Sequence, residues 1–182
     1  MGDDQHEPNR RHHVVKVFYS PDYVRSGHAF ETPRKSQWII DSLRREPMAE
    51  VEVLAPEPLT QSRLCEVHDP SYVTAMRTGE PRALAELQGF PWDPSLWSMV
   101  CASNGGAVAA ALAALEDGVA GSLSSGLHHA RRGHGAGFCT FNGLALGVHV
   151  ARAAGAYLGP GLDESGLVAL HRLTLSATAR AG

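Results

Sequence analysis

The stretch Ser124-Ser-Gly-Leu-His-His-Ala-Arg-Arg-Gly-His-Gly-Ala-Gly-Phe-Cys-Thr-Phe-Asn142 decides how the rest of the chain is interpreted. It places two adjacent histidines, His128 and His129, among closely spaced glycines. Glycine has no side chain, so such a loop lets the backbone approach a ligand closely. The loop lies between an apolar segment that begins at Leu123 and a helical pattern, where α/β folds place ligands. The sequence therefore predicts that the functional site lies here.

The two neighbouring histidines suit proton transfer better than the binding of one metal ion by the pair alone. Adjacent side chains diverge, whereas metal-binding pairs such as His-x-x-x-His are spaced by one helical turn. An imidazole titrates near neutral pH, so one ring can accept a proton from water while the other donates to a leaving amine. A polar loop without chemistry remains the alternative.

The pattern Gly133-x-Gly135-x-Gly137 allows a second interpretation, a nucleotide-binding loop. This signal is weak because the spacing is not G-x-G-x-x-G and no acidic residue follows about twenty positions later on a strand end. Arg131 and Arg132 are expected to form a solvated turn.

Composition limits the class of protein. The 182 residues suffice for one domain with a core. A net charge of -3 argues against binding of nucleic acid through phosphate neutralisation. The longest apolar run, Ala107 to Leu115, is shorter than the ~18 residues needed to cross a bilayer. The polar N-terminus has no apolar signal core, so a cytoplasmic protein without a membrane partner is expected.

The three cysteines form neither a Cys-x-x-Cys pair nor an even disulfide framework. Cys65 and Cys101 lie among apolar neighbours and are predicted to be buried thiols. Only Cys139 lies near the candidate site. Residues 1–13 are polar and are predicted to be disordered, and no metal site is assigned to their three histidines.

Alternating strand and helix patterns predict a parallel sheet. A strand over Val14–Tyr19, buried on both faces, precedes a helix from Pro33 to about Arg45, capped by Thr32, with Trp38, Ile39, Ser42 and Leu43 on one face. A short strand follows at 51–54. Further helices are predicted from Asp69-Pro70 to Gly79, from Asp93-Pro94 to Gly118, and from Phe141 to Ala154. Three polar residues, His28, Arg34 and His68, are assigned structural roles, His68 as a hydrogen-bonding partner of a loop.

Gly126-Leu127-His128-His129-Ala130, followed by Gly137-Phe138-Cys139 and Phe141-Asn142, resembles the zinc-dependent histone deacetylase family, which includes acetylpolyamine amidohydrolases and acetoin-utilisation proteins. The N-terminal half agrees with this resemblance at Val17–Tyr19, His28, Thr32–Arg34 and His68–Val73. The resemblance covers residues 14–156 and implies the N-terminal part of a three-layer parallel-sheet, arginase/deacetylase-like fold. Residues 157–182 would form a divergent tail.

The resemblance also implies chemistry. His128 and His129 correspond to paired catalytic histidines, and Gly137 and Phe138 to the wall of a narrow channel for the acetylated side chain. In the family a Zn²⁺ ion polarises the acetyl carbonyl and activates water. The implied substrates are acetylated amines such as acetyl-lysine or acetylpolyamines.

The chain departs from the family downstream of the histidines. The zinc ligands of the family, an Asp-x-His and a later Asp, are absent there, since His171 is preceded two positions earlier by Ala169. The composition shift after Ala156 suggests a truncated or frame-shifted ending. We therefore expect no hydrolysis by this chain alone. We also expect marginal stability and an open sheet edge where a partner chain could pair, so a non-catalytic interaction module is the alternative.

Overall fold

A computed structural model of the chain describes residues 14–26 and 31–156, without the side chains of residues 31–33. Several sequence predictions lie outside these residues: those for the polar segment 1–13, for His28, and for the segment 157–182 that contains His171.

Three short parallel strands form the sheet: β1 (Val15–Phe18), β2 (Val51–Leu54) and β3 (Ala120–Ser122). β1 lies in the centre, so that Val17 is flanked by Val53 of β2 and Gly121 of β3. The predicted parallel sheet is confirmed. β3 was not predicted as a strand, because Ala-Gly-Ser lacks the β-branched residues that mark strands.

The expectation that β1 is buried on both faces was wrong. Only Phe18 is buried, and Val15, Lys16 and Val17 are partly exposed. The longest helix, α5 (Ser95–Asp117), packs against β1 and β3. Helix α1 (Glu31–Arg45) instead packs mainly against a 3-10 helix at Pro21–Val24 that follows β1.

Four further helices complete the described fold: α2 (Gln61–Cys65), α3 (Pro70–Thr78), α4 (Arg82–Ala85) and α6 (Gly143–Ala153). The predicted ends of α3 and α5 are confirmed. Both helices stop at a glycine with positive φ, Gly79 at 81° and Gly118 at 82°. The carboxylate of Asp93 accepts a hydrogen bond of 2.7 Å from the Ser95 amide at the start of α5. Helix α6 begins two residues later than predicted, because Asn142 caps it.

Two predictions for α1 were wrong. The helix begins at Glu31, so Thr32 lies inside it instead of capping it. Trp38 and Ile39 are 53% and 44% exposed, whereas Ser36 and Ile40 are 3% exposed. The buried stripe follows residues four apart that face the 3-10 helix, and Trp38 and Ile39 lie outside this stripe.

Helices α3, α5 and α6 enclose the main core, which centres on six fully or almost fully buried side chains: Leu64, Tyr72, Met76, Leu96, Phe141 and Leu146. Cys101 also lies in this core, as predicted. By length and composition α5 could cross a membrane, but 56% of an 18-residue apolar stretch within it is buried inside the protein. The core helix of a soluble protein has the same properties.

Gly105 lets the segment after β2 cross α5 at close range. A Cβ atom on Gly105 would overlap the carbonyl oxygen of Glu57, and the Leu59 amide holds this segment by donating to the Cys101 carbonyl at 3.0 Å. We expect Gly105→Ala to lower the free energy of unfolding by about 2 kcal/mol through this overlap. Urea unfolding followed by circular dichroism measures the change.

Gly147→Ala in α6 is the matched control for this prediction. Its added Cβ would lie 3.3 Å from the Ala111 Cβ atom. The higher helix propensity of alanine, about 1 kcal/mol, should offset this mild crowding. Equal stability of the Gly105→Ala protein and the wild type would contradict the close crossing.

Candidate active site

The histidine loop leaves the sheet at the carboxyl end of β3. The Leu123 amide still donates to the Phe18 carbonyl at 2.9 Å, and the Ser124 hydroxyl donates to the Ser103 carbonyl of α5 at 2.9 Å. From there the chain runs through His128 and His129 to Asn142 at the start of α6. The loop therefore lies at the edge of the sheet where parallel α/β folds bind ligands.

His128 and His129 lie side by side at the protein surface. Their ring centroids are 4.1 Å apart and the ring planes are inclined by 42°. His129 packs against Gly137, where a Cβ atom would lie 3.1 Å from the imidazole Cγ. Within residues 14–26 and 31–156, no carboxylate forms a hydrogen bond with either ring. The two rings are thus placed together and open to a ligand.

His68 holds the loop from beneath. Its ring is 1% exposed, its Nδ1 lies 2.9 Å from the Arg131 carbonyl oxygen, and its Nε2 accepts a hydrogen bond of 3.0 Å from the Asn142 amide. An Nε2 acceptor carries no proton, so Nδ1 is the donor to Arg131 and the ring is neutral. The predicted structural role of His68 is confirmed: it joins the two halves of the loop.

Asn142 and Tyr72 add four further hydrogen bonds. The Asn142 side chain caps α6 by accepting from the Ala145 amide at 3.0 Å, and its Nδ2 donates to the carbonyls of His128 (3.2 Å) and Ala130 (3.1 Å). The buried Tyr72 hydroxyl donates to the Thr140 carbonyl at 2.6 Å. The backbone at His128, Ala130 and Thr140 is therefore fixed by partly or fully buried hydrogen bonds.

A tight turn presents Phe138. The amide and carbonyl groups of Ala136 and Cys139 bond to each other at 3.1 and 2.9 Å, and the two residues between them have positive φ, 53° at Gly137 and 63° at Phe138. A positive φ is ordinary for glycine and uncommon for a bulky residue, which it strains. The Phe138 ring is 56% exposed. The turn therefore holds an apolar side chain at the surface in a strained conformation.

A cavity of about 350 Å³ opens between these groups and extends to α5. Its walls are apolar and hydroxyl-bearing, and among the described residues that line it none is Asp, Glu, Lys or Arg. The cavity is lined by the four residues that the sequence analysis selected, His128, His129, Gly137 and Phe138. Two aromatic residues that were not selected there, Tyr23 and Phe90, also line it. An uncharged chain with a small polar end suits such a lining.

Cys139 also lines the cavity, but its thiol is not an activated nucleophile. Burial raises the pKa of the Cys139 thiol, and the backbone amides of His129 and Ala130 oppose this only in part. A thiol needs a lowered pKa to supply thiolate at neutral pH. The cysteine is therefore a small apolar wall of the cavity.

The remaining polar groups of the loop have structural contacts. Arg131 and Arg132 are exposed, as predicted, and Arg132 pairs with Asp69 at 2.8 Å. Gly135 is required by packing, because a Cβ there would lie 2.7 Å from the Tyr72 hydroxyl. The chain then forms the turn with Phe138 before α6 begins, so the glycines do not open a helix as a nucleotide-binding loop does.

Metal binding finds little support in the part of the chain that the structure describes. There, no group of three or more His, Cys, Asp or Glu side chains could hold a metal ion. Zn²⁺ requires at least three protein ligands in catalytic sites and four in structural ones. The described residues do not fit a zinc ion.

Comparison with known proteins identifies relatives over most of the chain. A family model described as the histone deacetylase domain matches residues 28–157. An uncharacterized protein of Picosynechococcus sp. is 33% identical over 150 residues, which cover 76% of this chain and 48% of that protein. Histone deacetylase 3 of Oryza sativa subsp. japonica is 29% identical over 152 residues, with 74% and 30% covered.

The solved structure of the HDA15 HD domain matches with a TM-score of 0.65 at 21% identity, over 80% of this chain and 44% of that one. At this identity the match shows the fold, an α/β deacetylase-like fold with a parallel sheet. The chain spans about half the length of the Picosynechococcus relative and about a third of the plant enzyme.

Burial makes His68 a source of pH-dependent stability. Burial lowers the pKa of His68 below its ordinary 6.5, against the opposing effects of the Arg131 and Arg132 carbonyls and the Asp69 charge. Below about pH 6.5 His68 is protonated in the unfolded chain but stays neutral in the folded chain until a lower pH is reached. We therefore expect the free energy of unfolding to be highest above this pH and to fall as the pH drops towards the folded-state pKa.

Urea unfolding at about pH 7.5 and about pH 5.5 tests this expectation. In His68→Gln the side chain cannot titrate, so the part of the pH dependence due to His68 should disappear while stability falls at both pH values. An identical pH dependence in wild type and His68→Gln would exclude His68 as its source.

The positive φ of Phe138 predicts an unusual order of stability among its variants. Phe138→Ala and Phe138→Gly both remove the ring, but only glycine relieves the backbone strain. We expect the glycine variant to be more stable than the alanine variant by about 1 kcal/mol, the reverse of the order in a helix or strand. Thermal and urea unfolding of the two proteins measure this difference, and the ordinary order would show that residue 138 is not held at positive φ.

Proposed function

The chain belongs to the histone deacetylase family, and from this premise we propose that its cavity binds the acetylated end of an amine such as acetyl-lysine or an acetylpolyamine. One observation carries the proposal. The family resemblance implies two catalytic histidines, His128 and His129, and two channel-wall residues, Gly137 and Phe138. All four line one cavity, although the loop between the two pairs includes the buried residues Ala130 and Gly135.

The lining of the cavity suits the neutral parts of such a substrate. An acetylated amine presents an uncharged amide at the end of a methylene chain, and Phe138 and Phe90 offer apolar surface to that chain. The amide then reaches the exposed imidazoles of His128 and His129. An amine without its acetyl group carries a positive charge. The lining residues that the structure describes include no carboxylate to neutralise it, so the free amine should bind less well.

The histidine pair is suited to the proton transfers of amide hydrolysis. In that reaction water adds to the carbonyl carbon and loses a proton, and the amine leaves after gaining one. One imidazole can accept the first proton and the adjacent ring can donate the second. The two rings, 4.1 Å apart, can both face the same bound amide.

We further propose that this polypeptide by itself binds the substrate without hydrolysing it. The family reaction depends on zinc, and the described residues do not fit a zinc ion. Downstream of His129 the printed sequence has no Asp-x-His.

A non-catalytic interaction module is the second candidate. Among the described residues, β3 forms one edge of the sheet and pairs only with β1. Such an edge exposes unpaired amide and carbonyl groups that can accept a strand from another chain. This candidate predicts binding of another polypeptide without any effect of acetylated amines on the imidazoles.

Nuclear magnetic resonance of the full 182-residue chain tests the proposed function. Addition of an Nε-acetyl-lysine peptide should shift the imidazole signals of His128 and His129, because the amide enters between them and Phe138. His149 on α6 is paired with Glu66 at 3.1 Å, and the chemical shift of its imidazole should not change. Phe138→Ala should weaken binding roughly tenfold by removing apolar contact area.

The matching peptide with free lysine is the control. Equal shifts with both peptides, or none with either, would contradict an acetylated-amine site and favour the interaction module. Release of acetate above the rate of a protein-free blank, with or without added zinc, would contradict the proposal that this chain only binds.

A further inference from the structure

The ring of Phe138 lies against a glycine that is distant in sequence. A Cβ atom built on Gly89 would lie 3.3 Å from Cε1 and 3.6 Å from Cδ1 of the Phe138 ring. The carbonyl of the preceding residue, Gln88, accepts a hydrogen bond of 2.8 Å from the Phe138 amide. The backbone at 88–89 therefore contacts both the main chain and the ring of Phe138.

The turn that contains Gly89 is itself held firmly. The Gly89 amide donates to the Glu86 carbonyl at 3.0 Å, and the Glu86 carboxylate accepts from the Trp92 amide at 3.0 Å. The Trp92 indole donates to the Met76 carbonyl of α3 at 2.8 Å. Gln88 is 1% exposed. This turn is therefore anchored to the main core, and it offers Phe138 a rigid support.

The turn also brings a second aromatic residue to the cavity. Phe90 follows Gly89 directly and lines the same cavity as Phe138. One short segment thus supports one aromatic wall and contributes the other. The position of the Phe138 wall depends on how closely its ring can approach residue 89.

We propose that Gly89 is a positioning residue: by letting the Phe138 ring lie close to it, Gly89 sets how wide a stem the cavity accepts. This inference rests on the proposed function, because it assigns the stem of an acetylated amine to the cavity that Phe138 lines. Gly89 acts through Phe138 and makes no contact with the reacting groups. The residue must be glycine for two reasons: its φ is 106°, and a Cβ atom 3.3 Å from the Phe138 ring would displace the ring from its present position.

Binding of two small probes tests the proposal on the full chain. N-butylacetamide has a linear stem, and N-cyclohexylacetamide has a bulky one. Wild type should bind the linear probe at least about tenfold more tightly than the bulky one, and Gly89→Ala should weaken binding of the linear probe about tenfold because the Phe138 ring is displaced. Dissociation constants come from the shifts of the His128 and His129 imidazole signals.

Gly118→Ala is the matched control. Gly118 also has positive φ, 82°, but no atom lies within 4 Å of an added Cβ. This variant pays a similar backbone strain far from the cavity, so its probe affinity should equal that of the wild type. The combination of Gly89→Ala with Phe138→Gly removes the ring that would be displaced. In that background Gly89→Ala should change affinity less than about twofold.

Three results would overturn the proposal. Gly89→Ala could bind both probes as the wild type does, or lose the same affinity with and without the Phe138 ring. The third result concerns the Phe138 ring. Its aromatic proton signals should shift in Gly89→Ala and not in Gly118→Ala. Unchanged signals in Gly89→Ala would show that Gly89 does not position the ring. This readout needs no ligand. If neither probe binds wild type, the proposed function fails while the ring signals still decide the role of Gly89.

Discussion

The hydrogen bonds of one buried imidazole organise the candidate site. His68 connects the Arg131 carbonyl to the Asn142 amide, and through Asn142 the constraint extends to the carbonyls of His128 and Ala130. Each of these groups is a backbone group that would be costly to leave unpaired beneath the loop. The exposed histidines therefore need no contacts of their own to be held in place. Their rings remain available because the backbone beneath them is fixed.

This arrangement separates the groups that bear strain from the groups that provide support. Phe138 adopts a positive φ that disfavours a bulky residue, and it does so at the surface where its ring faces a ligand. The conformation persists because the Gln88 carbonyl binds the Phe138 amide and the Ala136–Cys139 bonds close the turn. Strain at a binding surface, supported by a rigid neighbour, is a common compromise between stability and function.

The sequence predicted those features that depend on local chemistry. Asp69-Pro70 and Asp93-Pro94 marked helix starts because a proline at the first helical turn leaves no donor unpaired. Prediction from the sequence failed where tertiary contacts determine the local structure. β3 consists of small residues and is a strand only because β1 lies beside it, and the buried face of α1 is set by the 3-10 helix rather than by the most apolar side chains.

The same distinction applies to the site. The family resemblance indicated the histidines, Gly137 and Phe138. Tyr23, Phe90 and the Gln88–Gly89 support come from distant segments whose residues have no pattern in sequence. Asn142 is part of the family resemblance, and asparagine before an apolar helix also predicts a cap, since such residues commonly satisfy the first amides of a helix.

The wide sequence separation of these anchors has a consequence for how the protein folds. The bond between His68 and Asn142 joins residues 74 apart, and that between Tyr72 and Thr140 joins residues 68 apart. Contacts of such long range form only after the intervening chain has lost much of its freedom, which slows folding. A peptide spanning the histidine loop alone would have the sequence of the site without its shape. Transplanting the loop to another scaffold would therefore require the segment between α2 and α3 that bears His68 as well.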